Sequence, residues 1–126
     1  MTNKTQSIIS VCMESLGINY AFMQWDAEPV YPYFVGEYQE IEPLNEDGMQ
    51  ESMFILSGFS RGSYEELEQA KDAIKKFFNI ASGKRFTAED GSTVEIFYSQ
   101  SLVVRTGDAE LKKIQVNLKV KEWGVY

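Results

Sequence analysis

The sequence predicts an α+β fold: an antiparallel sheet of about five strands with two helices packed on one face, in the order α-β-β-β-α-β-β. Three observations carry this. Ile114, Val116, Leu118 and Val120 alternate strictly with Lys113, Gln115, Asn117, Lys119 and Lys121, the period of a strand with one dry face and one wet face. Leu67, Ala70, Ile74, Phe77 and Phe78 recur at helical spacing. The chain has 126 residues, the size of one domain, and no internal repeat, low-complexity segment or linker divides it.

The elements follow in order. Residues 3–16 read as an amphipathic helix, with Ile8, Ile9, Cys12, Met13 and Leu16 on one stripe, Asn3 as its cap and Gly17 as its stop. Residues 19–25 are rich in aromatics and read as a strand, which the Asp26–Pro29 segment breaks. Tyr31 to Ile41 and Met49 to Phe59 read as a β-hairpin around the turn residues 43–48. In the second strand Met49, Met53, Ile55 and Phe59 share one face, and Phe54 and Leu56 take the other. Each of these strands would be roughly 36 Å long at ~3.3 Å per residue, so the hairpin is expected either to bend over the core or, preferably, to project its tip toward another chain. Ser63 and Glu66 match a capping box at the head of a helix from Tyr64 to about Ala81, closed by Gly83. Asp90-Gly91 marks a turn, Thr93 to Tyr98 a strand that resumes from Leu102 to Arg105 after a break at 99–101, and residues 113–121 the last strand.

Composition bounds the function. No apolar run is long enough to span a bilayer, and the first seven residues hold no signal-peptide core, so no membrane role or signal-directed export is expected. One cysteine cannot form an internal disulfide. There is no histidine, which removes the commonest general base and metal ligand together. The net charge of −7 opposes binding to a phosphate backbone, since that affinity comes from cationic side chains. The imbalance is local: between Lys4 and Arg61 nine acids face no base, whereas from Arg61 onward charges of both signs nearly balance. Such polarity fits complementary faces, an acidic surface that repels nucleic acid, or solubility alone.

No catalytic pattern emerges. The Gly58–Ser63 turn lacks the spacing and lysine of a phosphate-binding loop. Asp26/Glu28 and Glu46/Asp47 read as solvated loop charges rather than cation ligands. No G-x-S-x-G occurs, a Ser-His-Asp triad is impossible, and Cys12 reads as a buried, inert thiol. No enzyme activity, cofactor or metal is therefore expected. The aromatics are more informative, with eight Phe, seven Tyr and two Trp. Tyr31, Tyr33, Phe34 and Tyr38 crowd one strand, Trp123 and Tyr126 lie at the end, and Met49 stands in the hairpin. These are candidate subunit-interface residues, because Tyr and Trp bring contact area at little entropic cost; ordinary core and sheet packing is the alternative.

The segments 32–38 (Pro-Tyr-Phe-Val-Gly-Glu-Tyr) and 54–64 (Phe-Ile-Leu-Ser-Gly-Phe-Ser-Arg-Gly-Ser-Tyr) precede a helix carrying Leu67, Lys71, Ile74 and Phe78. In this order of elements the chain resembles the small tail-terminator, tail-completion and minor-capsid proteins of long-tailed bacteriophages and prophages. The resemblance implies a homo-oligomeric ring, usually six-fold, at the head-proximal end of the tail tube. Its partners would be tail-tube and head–tail connector proteins, and its place the virion after assembly in the host cytoplasm. Glu40, Glu42, Glu46, Asp47 and Glu51 would then form an acidic lumen that keeps passing DNA from sticking. An acidic binding module or anti-host factor that recognises a bacterial protein is the alternative.

Overall fold

The computed structural model describes residues 1–23, 30–42, 48–88 and 91–124. Two helices, α1 (Asn3–Ser15) and α2 (Tyr64–Phe77), lie on one face of a six-stranded sheet. Its strands are β1 (Tyr20–Phe22), β2 (Tyr33–Glu42), β3 (Met49–Ser60), β4 (Lys84–Thr87), β5 (Thr93–Val104) and β6 (Lys112–Trp123), in the spatial order β1-β2-β3-β6-β5-β4.

The α+β class, the two helices and the central hairpin agree with the sequence reading. The strand count and directions do not. The described residues form six strands, and β1 runs parallel to β2, so the sheet is mixed. Side-chain alternation is the same in either direction, so the pattern is silent on parallel pairing. Asn19 makes the pairing: its carbonyl accepts from the Phe34 amide at 2.8 Å, and its Nδ2 donates to the Pro32 carbonyl at 3.2 Å. Strand β4 was missed because only Phe86 among its four residues is large and apolar; it is extended because Lys84–Thr87 pair with Thr93–Ile96. The break expected near 99–101 is a β-bulge between Tyr98 and Gln100, and β5 runs through it.

The long hairpin is accounted for within the sheet. β3 pairs with β6 over its whole length, from Met49 opposite Trp123 to Ser60 opposite Lys112. The hairpin tip, residues 43–47, lies outside the described residues. So do Gln24, Trp25 and the 26–29 break.

Two helix boundaries depart from the expected ones. Thr2, not Asn3, caps α1, and its hydroxyl accepts from the Thr5 amide at 3.2 Å. Helix α2 stops at Phe77 rather than Ala81. Asn79 Oδ1 accepts from the amides of Ala81 at 2.8 Å and Ser82 at 3.1 Å, a local turn that competes with another helical turn. The Phe78 carbonyl is meanwhile taken by the Tyr98 amide at 2.9 Å, drawing the chain onto β5. The expected capping box is also rearranged. Ser63 makes no side-chain cap bond; Ser60 Oγ instead accepts from the Gly62 amide at 3.0 Å and donates to Glu66 Oε2 at 2.7 Å.

One core lies between helices and sheet. Ile9, Cys12 and Met13 of α1 and Leu67 and Ile74 of α2, with Phe78 just beyond it, meet Phe34, Phe54, Leu56, Ile96, Ile114, Val116, Leu118 and Val120. Full burial of each large apolar side chain contributes about 1.5–3 kcal/mol relative to exposure. Burial raises the Cys12 thiol above its ordinary range, opposed in part by Lys84, so the thiolate is disfavoured.

Candidate interaction surface

The face of the sheet away from the helices carries no helix among the described residues. Register places Tyr33, Val35, Glu37 and Gln39 of β2 on it, then Phe59, Ser57, Ile55 and Met53 of β3, then Lys113, Gln115, Asn117 and Lys119 of β6. At one end an aromatic ladder forms. Tyr31 and Tyr33 ring centroids stand 5.3 Å apart, and Tyr33 stacks on Phe59 at 5.2 Å. Cations close both ends, with Arg61 over Tyr31 at 5.6 Å and Lys113 over Phe59 at 5.3 Å. Arg61 also donates to Tyr31 Oη at 3.3 Å and lies 3.7 Å from Asp108. Burial, then the neighbouring Tyr31, raises the Tyr33 phenol above its ordinary range, with Arg61 acting the other way.

The remaining residues singled out by sequence are scattered. Phe34 is 1% exposed and sits in the core. Tyr38 projects to the helix side, where its ring stacks on Phe22 at 6.1 Å. Met49 and Trp123 face each other in register at the hairpin end. The acids divide between the two faces. Glu40 accepts from the Met1 amino group at 2.6 Å under α1, whereas Glu51 stands opposite Lys121 on the open face. Glu42 belongs to β2 opposite Glu51. Glu46, Asp47 and Tyr126 lie outside the described residues.

Three features escaped the sequence reading. The first is Glu122, fully buried beneath the head of α1. Its Oε2 accepts from Thr5 Oγ1 at 2.6 Å, from Thr2 Oγ1 at 3.0 Å and from the Thr2 amide at 3.1 Å. A carboxylate there also meets the positive end of the helix dipole. Continuing the phase of Ile114, Val116, Leu118 and Val120 by two residues would have placed it inside. The second is a depression of about 300 Å³ lined by Ile80, Phe97, Tyr98, Ser99, Lys119 and Lys121.

The third is a pair of half-open sheet edges. β1 covers β2 only along Phe34–Gly36, and β4 covers β5 only along Thr93–Ile96. Beyond these spans no described strand pairs with the outer side of β2 or β5. Tyr38, Ile41, Leu102 and Val103, four of the large apolar residues left exposed, lie on the open stretches. Among the described residues no group of three or more His, Cys, Asp or Glu is placed to hold a metal. No described helix is long and apolar enough to cross a membrane.

Among the described residues these features define a two-layer α+β domain whose sheet has one face without a helix and two partly paired edges. The chain matches no protein-family model, and no curated protein matches it in sequence. Its fold is similar to that of a solved chain described as "Virion of native gene transfer agent (GTA) particle". The TM-score is 0.62 at 11% identity, covering 91% of this chain and 86% of the other. At that identity the likeness is one of fold.

Proposed function

We propose that this chain is a structural protein of a phage-type virion. In the more specific form of the reading it is a tail terminator or tail-completion protein, forming a ring at the head-proximal end of the tail tube and joining it to the head connector. The observation that carries the reading is the shared fold with a gene transfer agent virion chain along nearly the full length of both. The incomplete edges support it, because a ring needs two different surfaces on each subunit, each complementary to the other. The reading requires no catalytic group and no cofactor.

The acid-rich stretch serves the same role. Glu37, Glu40, Glu42 and Glu51 cluster toward the hairpin end of β2 and β3. Glu37 and Glu51 lie on the open face, so a lumen lined by that face would set them against DNA phosphates and keep the passage free, while Glu40 stays on the helix side with the Met1 amino group. Charge reversal of Glu40, Glu42, Glu46 and Glu51 together should then raise DNA affinity and lower infectivity; no change in either discards the lumen role.

The direct test uses tail tubes polymerising from purified tube protein. Added wild-type chain is expected to halt elongation and to appear as a ring at one tube end in electron micrographs. Tubes that lengthen unchecked, with no ring at either end, would overturn the proposal.

A further inference from the structure

We infer that the open stretch of β2 in one copy pairs antiparallel with the open stretch of β5 in the next, joining the sheets of neighbouring subunits edge to edge. This deepens the ring reading and rests on its claim that copies of this chain associate.

The two stretches match in length and position. Residues 37–42 of β2 and 99–104 of β5 are each six residues long and lack a described strand on their outer side. Three successive antiparallel pairings, β2 with β3, β3 with β6 and β6 with β5, leave β2 and β5 oppositely directed. Antiparallel pairing between copies therefore continues the sheet without reversing a subunit.

They also match in chemistry. Ile41 and Tyr38 are 47% and 37% exposed on one stretch, and Leu102 and Val103 are 46% and 56% exposed on the other. Exposed apolar residues on an unpaired edge invite strand addition unless a partner covers them. The β2 stretch carries Glu37, Glu40 and Glu42; residues 99–104 carry no acid, and Arg105 follows them. Opposite charge thus favours β2 against β5 and opposes β2 against β2.

The stretches lie at opposite ends of the strand direction. The β2 stretch is near the hairpin end, where Met49 pairs with Trp123, and the β5 stretch is near the end where Ser60 pairs with Lys112. Carried through the registers, the β2 stretch lies against residues 51–55 of β3 and the β5 stretch against residues 55–59, so joining them offsets each copy by about four residues, roughly 13 Å at ~3.3 Å per residue. Four long strands advance each copy sideways by about 19 Å at ~4.8 Å per strand. The strands then cross the ring axis at about 35°, the lower end of the ~35–45° tilt that lets a sheet close on itself. With this offset β1 and β4 abut strand ends instead of blocking the pairing.

The test exploits the two different edges. Ile41→Lys blocks only the first edge and Val103→Lys only the second. Mass is measured for each variant, for an equal mixture and for wild type by native mass spectrometry and sedimentation, at concentrations up to the solubility limit. Wild type is expected to form a closed oligomer whose 37–42 and 99–104 amides are protected from hydrogen exchange. Each variant alone is expected to be monomeric, and the mixture to form one heterodimer, because each variant retains the edge the other lacks. Unchanged thermal melts confirm folding, and Leu102→Lys replaces Val103→Lys if that variant melts early. The inference is overturned by a wild type monomeric throughout, by a single variant that keeps the wild-type mass or self-dimerises, or by a mixture that stays monomeric. Tube capping that survives both edge variants overturns this pairing alone and leaves the terminator reading intact. Wild-type rings joined through these edges that ignore tail tubes do the reverse.

Discussion

The ring of Phe34 lies over the backbone of Gly58, its register partner on β3. A Cβ at Gly58 would stand 2.6 Å from Phe34 Cζ. The same device recurs one pair along, where a Cβ at Gly36 would stand 2.5 Å from Phe54 Cζ and 2.7 Å from Tyr20 Oη. Two aromatics thus press onto two glycines in neighbouring strands and fill the core there.

Gly58→Ala should therefore destabilise the chain by about 1–3 kcal/mol through overpacking. Phe34→Leu alone should also destabilise it, but added to Gly58→Ala it should restore part of the loss by vacating the space. Urea unfolding of the two single variants and the double variant measures the coupling. Strict additivity would contradict the contact.

Glu122 ties the last strand to the first helix. Glu122→Ala removes the acceptor of three hydrogen bonds from Thr2 and Thr5 and leaves the buried Thr5 hydroxyl without that acceptor. A loss of about 1–3 kcal/mol is expected, with faster amide exchange concentrated in the first turns of α1. Uniform loss of protection across the sheet would show that the anchor is not local.

Ser60 and Ser63 exchange their expected roles. Ser60→Ala should cost about 1 kcal/mol, because Ser60 Oγ bonds both the Gly62 amide and Glu66. Ser63→Ala should be nearly neutral, since that side chain makes no cap bond. Thermal melts of the two variants rank them, and the reverse order would restore Ser63 as the cap.

Tyr20 Oη is buried without a hydrogen-bond partner, and burial pushes its phenol well above the ordinary range. Tyr20→Phe should be neutral or stabilising by up to about 1 kcal/mol. The sign with pH follows. At neutral pH Tyr20 and Cys12 are protonated both folded and unfolded, so their contribution is fully present. Above about pH 8.5 for the thiol and about pH 10 for the phenol, the unfolded chain releases protons that the folded chain keeps. Stability therefore falls as pH rises, until the folded groups themselves titrate. Unfolding midpoints at pH 7 and pH 10.5 should fall less in Tyr20→Phe than in wild type; equal falls would remove Tyr20 from the alkaline loss.

Much of the architecture was legible because it is written in local periodicity. The alternation along β6 and the 3.6-residue stripe of α2 each specify a buried face without knowledge of any neighbour. The surface was less legible. Tyr31 and Tyr33 were singled out and do form a ladder, yet Phe59, Arg61 and Lys113, which complete it, come from segments that only strand pairing brings together. Phe34 is an aromatic beside the two tyrosines, and a phase difference of one residue from Tyr33 sends it into the core.

The sequence by itself determined the class, the two helices, the central hairpin, the closing strand and the acidic bias of the first half, since these depend on residue type and spacing alone. Only the tertiary structure decided that β1 lies parallel to β2, that Lys84–Thr87 is a strand, that Glu122 holds down α1, and that β2 and β5 each run past the described strand beside them. The reason is that strand direction, edge coverage and the partner of a buried charge are set by which segments become neighbours in space, and local periodicity carries no record of that choice.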